Sequence, residues 1–558
     1  MCSLQHHYIS KCEGKLTGAD YHTFAFDPSQ PLKLSAESGE RGLQLEIPET
    51  GLKLSVESLD AERGRITLKL PWKKRDQRRA DGLGDGIPES LTSLIKVPAD
   101  ISEKLRDSLL EQASSWLDGS QPLPPAMLQL LERQPIGELV ALNEAIGAEP
   151  GSVAKRLAAF LAERRGIALA LQGPPGTGKS TVTAQVIAQL VAQGKRVAIS
   201  SNSHAAINNL LIKAKATCAK QGLADGVVKC SSSKSEAQLE GSGIPLVPPA
   251  AITDAMSVVG GTTWMFCREE LSEQFDLLVI DEAGQMSLAN LLVMARCASS
   301  ILLVGDQQQL AQPSQADHPG DSGLSCLEYL MQGAHVVPAD RGVFLATSWR
   351  MEPSLTAMVS QLFYDGRLNA NPANAINAIS WHQPSLGATG EPLPPQGLIF
   401  EAVEHSGCSV MCEAEIDRIE QIVDALLGSS YCHAEAGGEK RGVLGTQQIL
   451  VTAPYNVQVN RLQQRLGQKA RVGTVDKFQG QEAPVAIHSL TASDGDAAPR
   501  GLGFLLEPNR LNVAISRAQC LSIVVGSPEL TTGIAGTVKE AEQINRLCLI
   551  TRTAGPNP

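Results

Sequence analysis

The 558-residue chain contains no run of ~18 uninterrupted apolar residues, the length a bilayer-spanning helix needs, so a membrane partner is not expected. Its first residues, with His6, His7 and Lys11, lack the apolar core of a secretion signal, and a cytoplasmic location is the default expectation. The twelve cysteines include no C-x-x-C pair. Cys408, Cys412, Cys432 and His433 form the only loose cluster, and reduced thiols are the expected reading over a metal site. Basic residues are not in excess either. The net charge of −11 argues against a globally basic nucleic-acid binder, though a locally positive groove remains compatible with it.

What is present points to several domains, roughly three or four at this length. Between residues 23 and 70, Leu43, Leu45 and Ile47 alternate with polar residues, as do Leu52, Leu54 and Val56, then Ile66, Leu68 and Leu70. Period-two alternation predicts half-buried strands in a small barrel or sheet. The basic run Lys73, Lys74, Arg75, Arg78 and Arg79 reads as a solvated loop, with a phosphate contact as the alternative. Residues 101–117 and 125–146 read as helices. From Arg165, apolar strands at Val197–Ser200, Leu277–Ile280 and Ile301–Val304 alternate with helices, the pattern of a parallel sheet covered on both faces. A Ser-, Gly- and Pro-rich stretch near 216–250 reads as a surface insertion. A second α/β run begins near Phe344, with strands at Gly397–Phe400, Ile449–Thr452, Val485–Leu490 and Leu521–Val525. The stripe Ile416, Ile419, Val423 and Leu426 on the helix 413–427 is core packing, and 373–396 reads as a long loop.

The segment Gly173-Pro174-Pro175-Gly176-Thr177-Gly178-Lys179-Ser180, followed by Thr181, is a full G-x-x-x-x-G-K-[ST] loop between an apolar strand (167–171) and a helix (182–191). Glycines let backbone N–H groups close around phosphate oxygens, and the helix N-terminus favours negative charge. Lys179 can reach the β- and γ-phosphates of ATP, and Ser180 can ligate Mg²⁺. Such a loop calls for an acidic pair at the end of another apolar strand. Asp281 and Glu282 supply it, the first for Mg²⁺ and the second to orient or deprotonate the attacking water. A third strand ends in Gly305-Asp306-Gln307-Gln308-Gln309-Leu310, where a glutamine can sense the γ-phosphate.

With these residues the chain resembles the superfamily 1 helicases, over about residues 140–530. Thr347-Ser-Trp349-Arg350-Met-Glu-Pro353 is similar to the family's Q-Y-R-M-x-P motif, and Phe363-Tyr-Asp-Gly-Arg-Leu368 follows it. Val472-Gly-Thr474-Val-Asp-Lys-Phe-Gln-Gly-Gln-Glu482 and Asn509-Arg510-Leu-Asn-Val-Ala-Ile-Ser-Arg517-Ala518 are similar to two further motifs, and 197–204 and 259–264 to the strand-end motifs that touch nucleic acid. The branch is the one holding the nonsense-mediated-decay helicases and replication nuclease-helicases. The resemblance points more narrowly to the helicase half of bacterial proteins with a RecB-like nuclease upstream. That nuclease is read as missing from this sequence, and the reading raises a separately encoded nuclease as a partner.

The resemblance implies an α/β fold of two tandem RecA-like parallel-sheet domains (151–335, with the 216–250 insertion, and 336–558). Before them come a β-rich N-terminal domain (1–98), read as a small barrel, and a helical arm (99–150). It implies one ATP sandwiched between Lys179, Ser180, Asp281, Glu282 and Gln309 on one side and the arginine fingers Arg350 and Arg517 on the other. Trp349 would stack on adenine, with ordinary core packing as the alternative, and Glu482 would accept from the ribose. Ser203, His204, Thr262, Thr263, Tyr455, Asn456, Thr474 and Arg510 would contact single-stranded nucleic acid, DNA favoured and RNA open, with His204 reading equally as a structural histidine. The resemblance further implies 5′ to 3′ translocation. One departure stands out: Leu142-Asn143-Glu144-Ala145-Ile146 puts Ile146 where the family has an adenine-reading glutamine.

Overall fold

The computed structural model describes residues 4–9, 18–26, 44–48, 50–60, 63–84, 87, 90–91, 94–96, 100–231, 236–311, 318–388, 390–435, 437–478, 480–495 and 498–553.

Strands β1 (Leu4–Ile9), β2 (Ala19–Ala25), β3 (Gln44–Ile47), β4 (Leu52–Asp60), β5 (Arg65–Pro71), β6 (Ser90–Leu91) and β7 (Ile95–Lys96) form one antiparallel sheet, in the order β6-β1-β2-β5-β4-β3-β7. The alternating residues Leu45, Ile47, Leu52, Leu54, Ile66, Leu68 and Leu70 all point into one core with Phe24. The order has two ends among the described residues, so the expected barrel is here a sheet. The basic run is not a loop. Trp72–Ala80 is a helix with no buried residue, anchored where Trp72 Nε1 and Arg75 donate to Asp20 at 2.9 and 2.7 Å. Lys, Arg, Gln and Ala favour helix intrinsically, and a helix exposed all round has no apolar stripe for periodicity to detect.

The arm consists of helices Asp100–Leu117, Pro125–Leu131 and Glu138–Ala148. The expected single helix over 125–146 breaks where Arg133 takes φ 53° and Pro135 denies a backbone donor.

Strands β8 (Ala168–Gln172), β9 (Val197–Ser200), β10 (Val227–Cys230), β11 (Leu246–Val247), β12 (Val258–Gly260), β13 (Phe275–Ile280), β14 (Ala298–Gly305) and β15 (Gly342–Phe344) make an eight-stranded parallel sheet, in the order β11-β10-β12-β9-β13-β14-β8-β15. Two sequence expectations change. The 216–250 stretch is not a surface insertion, because β10 and β11 extend this sheet and β10 is buried throughout. Its four residues are short and interrupted by Lys229, which hid the apolar run. A division at 335/336 also cuts through this unit, since β15 pairs with β8.

The next strands are β16 (Thr347–Ser348), β17 (Asn369–Ala370), β18 (Ala378–Ser380), β19 (Gly397–Ala402), β20 (Ser430–Glu435), β21 (Gly438–Val443), β22 (Ile449–Thr452), β23 (Arg471–Gly473), β24 (Ala483–Ser489) and β25 (Ala518–Gly526). The expected long loop 373–396 carries β18, which joins β20 and β21 in a three-stranded sheet. The second large sheet is parallel, in the order β19-β25-β24-β22-β23. Its helix Glu413–Leu426 buries Ile416, Ile419, Val423 and Leu426 completely, as the stripe required.

The two large sheets repeat one plan. Taken in chain order, β8, β9, β12, β13 and β14 lie side by side as first, fifth, fourth, second and third, and so do β19, β22, β23, β24 and β25. These are tandem RecA-like domains.

Candidate active site

The glycine loop leaves the C-terminal end of β8 and runs into the helix Lys179–Ala192. Gly176 and Gly178 sit at φ 75° and 78°, which side-chain-bearing residues rarely adopt. A Cβ on Gly173 would fall 2.1 Å from Lys179 Cγ, and one on Gly176 2.4 Å from Arg350 Cβ. Gly173 N–H donates to Gly305 O at 3.0 Å, tying the loop to the end of β14. Pro174, Pro175 and Thr177 are buried, and the Thr177 hydroxyl donates to Pro174 O at 2.7 Å. Lys179 Nζ bridges the loop to Gly173 O at 2.7 Å. Ser180 and Thr181 stand in the first turn of the helix, partly and largely open.

Asp281 and Glu282 follow β13, the strand two places from β8. Burial, and then the neighbouring Glu282, push the Asp281 carboxyl up to about 7, against the pull of Lys179. Ser180 and Asp281 offer hard oxygen donors of the kind that suit a Mg²⁺ ion bound with nucleotide. Glu282 is held in the left-handed region at φ 53°. Strain of this kind persists where surrounding structure fixes a functional side chain.

The three glutamines divide their work. Gln307 donates to Ala334 O and His335 O, Gln308 is buried, and Gln309 Nε2 donates to Asp306 Oδ2 at 2.9 Å. Sequence reasoning gave Asp306, Tyr364 and Asn512 no role, although each lies inside a recognised motif. They form a buried bridge: the Tyr364 hydroxyl donates to Asp306 Oδ2 at 2.7 Å, and Asn512 Nδ2 reaches both the Tyr364 hydroxyl and Gln308 O at 2.8 Å. The glutamine loop of the first sheet is thus bonded directly to the helix Pro508–Ile515 of the second. Lys213, also missed, lies within electrostatic reach of Asp281 and pulls its carboxyl down slightly.

The second sheet meets this cleft with the N-terminal ends of its strands. Glu482 immediately precedes β24 and Arg517 immediately precedes β25. Trp349 N–H donates to Gly176 O at 2.8 Å, while the residue as a whole is 61% exposed, which rules out the core-packing reading. Arg350 lies beside it, with Nε 2.6 Å from Glu482 Oε2 and Nη1 3.0 Å from Ser516 O. Glu482, expected at the ribose, is therefore paired with Arg350 here and also accepts from Gln519. Arg517 is 4% exposed. Its Nη1 donates to Gln481 O, but Nε and Nη2 have no hydrogen-bond partner. Burial, and then the like charge of Arg350, push it down to about 9, while Glu282 and Glu482 oppose the shift. Two orphaned donors on a buried cation facing Glu282 fit an anionic phosphoryl group.

The expected nucleic-acid residues lie beyond the C-terminal ends of matching strands. Ser203 and His204 follow β9, and Tyr455 and Asn456 follow β22, the same position in the second copy. Thr262 and Thr263 follow β12, and Thr474 follows β23, again equivalent. Ser203 caps the helix His204–Ala219, accepting from Ala206 N–H at 3.1 Å. The His204 side chain is 63% exposed, with Nδ1 3.7 Å from Glu236 Oε1. Three expected residues differ from open contacts. Tyr455 is buried against Phe504, Thr263 is buried, and Arg510 is spoken for by Asp476 and Glu507 at 2.9 and 2.7 Å. Of the loose cysteine cluster, Cys432 and His433 belong to β20, whereas Cys408 and Cys412 meet His405 instead.

Two family models, each described as an AAA domain, match residues 154–318 and 323–529. The DNA-binding protein SMUBP-2 of Rattus norvegicus is 27% identical over 429 residues, covering 65% of this chain and 41% of that protein. The Regulator of nonsense transcripts 1 homolog of Arabidopsis thaliana is 26% identical over 410 residues, 64% of this chain and 31% of its own length. The DNA replication ATP-dependent helicase/nuclease DNA2 of Gallus gallus is 27% identical over 367 residues, 63% and 34% respectively. The chain thus spans between 31% and 41% of the length of these curated relatives. Paired sheets around a phosphate loop, with arginines entering from the second, define a two-domain P-loop NTPase motor. Within that class the two AAA-domain matches and the similar proteins support a superfamily 1 helicase of the nonsense-mediated-decay and replication helicase-nuclease type.

Proposed function

We propose that the chain is an ATP-dependent helicase that translocates 5′ to 3′ along single-stranded nucleic acid, with DNA the favoured substrate. The observation that carries this reading is Arg517, a buried guanidinium with two unpartnered nitrogens that reaches from the second sheet towards Glu282 of the first. Such a residue has a job only when a phosphoryl group lies between the sheets.

In this reading the loop N–H groups and Lys179 hold the phosphates, and Ser180 and Asp281 would hold Mg²⁺, which would supply charge neutralisation to the phosphates. Glu282 orients the attacking water and takes its proton. Arg517 and Arg350 stabilise charge on the transferring phosphoryl group, Arg350 after leaving Glu482. Gln309 and Asp306 pass the state of that group through Tyr364 and Asn512 to the second sheet. Closure on ATP and release after hydrolysis then move the strand-end edges Ser203–His204 and Tyr455–Asn456 relative to each other. Contacts there are to sugar and phosphate, as a motor indifferent to sequence requires. The base is read weakly. Ile146 is packed into the core and the Asn143 amide is taken up by the carbonyls of Leu139, Ala339 and Gly342.

Strand separation on duplexes with a single 5′ or 3′ tail, in DNA and in RNA, tests the proposal. Unwinding of 5′-tailed DNA is expected. Unwinding of RNA alone would move the substrate to RNA. Stimulated hydrolysis without unwinding of any duplex would point to a remodelling ATPase.

A further inference from the structure

The connection from β19 to the helix Glu413–Leu426 holds, in the second sheet, the place the glycine loop holds in the first. Here the place is filled by side chains. His405, Cys408 and Cys412 bring a ring nitrogen and two thiols within 4.8 Å of one another. We propose that these three side chains form a binding site for a soft or borderline divalent ion, Zn²⁺ being the ion that suits one imidazole and two thiolates.

The surroundings are built rather than incidental. The His405 side chain is 5% exposed and Glu415 is fully buried. His405 Nδ1 lies 2.7 Å from Ser493 Oγ, and Nε2 lies 3.0 Å from Glu415 Oε1. Whichever ring nitrogen an ion takes, the other stays hydrogen-bonded, which is how metal-binding imidazoles are oriented. Glu415 is itself fixed by the Ser489 hydroxyl and by Thr491 N–H. Both cysteine thiols are free. The ion therefore displaces two thiol protons to solvent as two thiolates form on it, and its fourth position is left to water.

The site also has a mechanical position. Cys408 N–H donates to Ser493 Oγ at 2.9 Å, and Ser493 N–H returns to Cys408 O at 3.0 Å. Gln458 holds Cys412 N–H and donates to Ser489 Oγ. An ion here pins the β19 connection against the exit of β24 and against the helix Asn456–Leu466, whose first residue belongs to the nucleic-acid edge. The inference does not depend on the proposed helicase activity.

The test is titration of the reduced, metal-stripped full chain with Co²⁺, reading thiolate-to-metal charge-transfer absorption, followed by displacement with Zn²⁺. The expected result is a saturable band that Zn²⁺ abolishes and that is missing in the Cys408→Ser/Cys412→Ser variant, with circular dichroism unchanged. No band in the parent chain, or an undiminished band in the double variant, overturns the site, since the latter places the ion on other cysteines. If the double variant does not fold, Cys408→Ser alone must weaken Co²⁺ binding about tenfold or more. Unchanged affinity in that single variant also overturns it.

Discussion

The two large sheets share one strand order, yet they face the candidate nucleotide cleft with opposite ends. The first offers the C-terminal ends of β8, β13 and β14, where the glycine loop, Asp281–Glu282 and the glutamine loop sit. The second offers the residues just before β24 and β25, Glu482 and Arg517. Its own C-terminal ends carry the proposed nucleic-acid residues, and the spot equivalent to the glycine loop is packed with His405, Glu415 and two cysteines. A duplicated scaffold therefore does not imply duplicated chemistry. In the proposed reading one copy binds the phosphates and the other senses them.

The largest expected effect separates these roles. Arg517→Ala should lower kcat by about 10³-fold or more, the scale of an arginine finger, while nucleotide binding to the first sheet persists. Equal loss of binding and turnover would make Arg517 part of the phosphate cradle and break the comparison. Lys179→Ala and Glu282→Gln should each cost about 10²–10³-fold in turnover, with Lys179→Ala also weakening nucleotide binding, measured by equilibrium titration.

How much of this was legible varied by region, for physical reasons. The proposed ATP residues sit in contiguous motifs, so most candidates could be named from sequence, whereas Lys213 and the bridge Asp306, Tyr364 and Asn512 could not be given roles. The edge residues act singly, and whether Tyr455 or Arg510 is open depends on Phe504, Asp476 and Glu507, which lie far off in the chain or outside any pattern. Strands with clean alternation or long apolar runs were readable. Strand β10 was not, because the Lys229 side chain is buried with its Nζ unpartnered in the middle of a four-residue strand, a placement no periodicity announces. His405 went unseen because its partners Ser493 and Glu415 come from different connections of the sheet.

Smaller effects sharpen the account. With Ile146 in the core, kcat/KM for GTP should fall within roughly tenfold of that for ATP, whereas a site that hydrogen-bonds the base discriminates by roughly 10⁴-fold. Tyr364→Phe removes the hydroxyl between Asp306 and Asn512. It should cost about 1 kcal/mol in denaturant unfolding and reduce nucleic-acid stimulation more than basal hydrolysis. His488, buried beside Thr452, is held at about 4 by burial and then by Arg510. The unfolded chain takes up that proton near the ordinary histidine range, while the folded chain takes it up only near 4. The contribution of His488 is thus fully present above about 6.5, and stability falls as pH drops from there towards 4. His488→Asn should flatten that part of the pH–stability curve relative to the parent.

The most direct test of the central claim is steady-state ATP hydrolysis by the full chain with and without single-stranded DNA or RNA, alongside Glu282→Gln. The account predicts hydrolysis that one polymer stimulates and that the variant abolishes. Hydrolysis indifferent to both polymers, or undiminished in Glu282→Gln, would contradict a motor in which one sheet cuts ATP and the paired edges hold the strand.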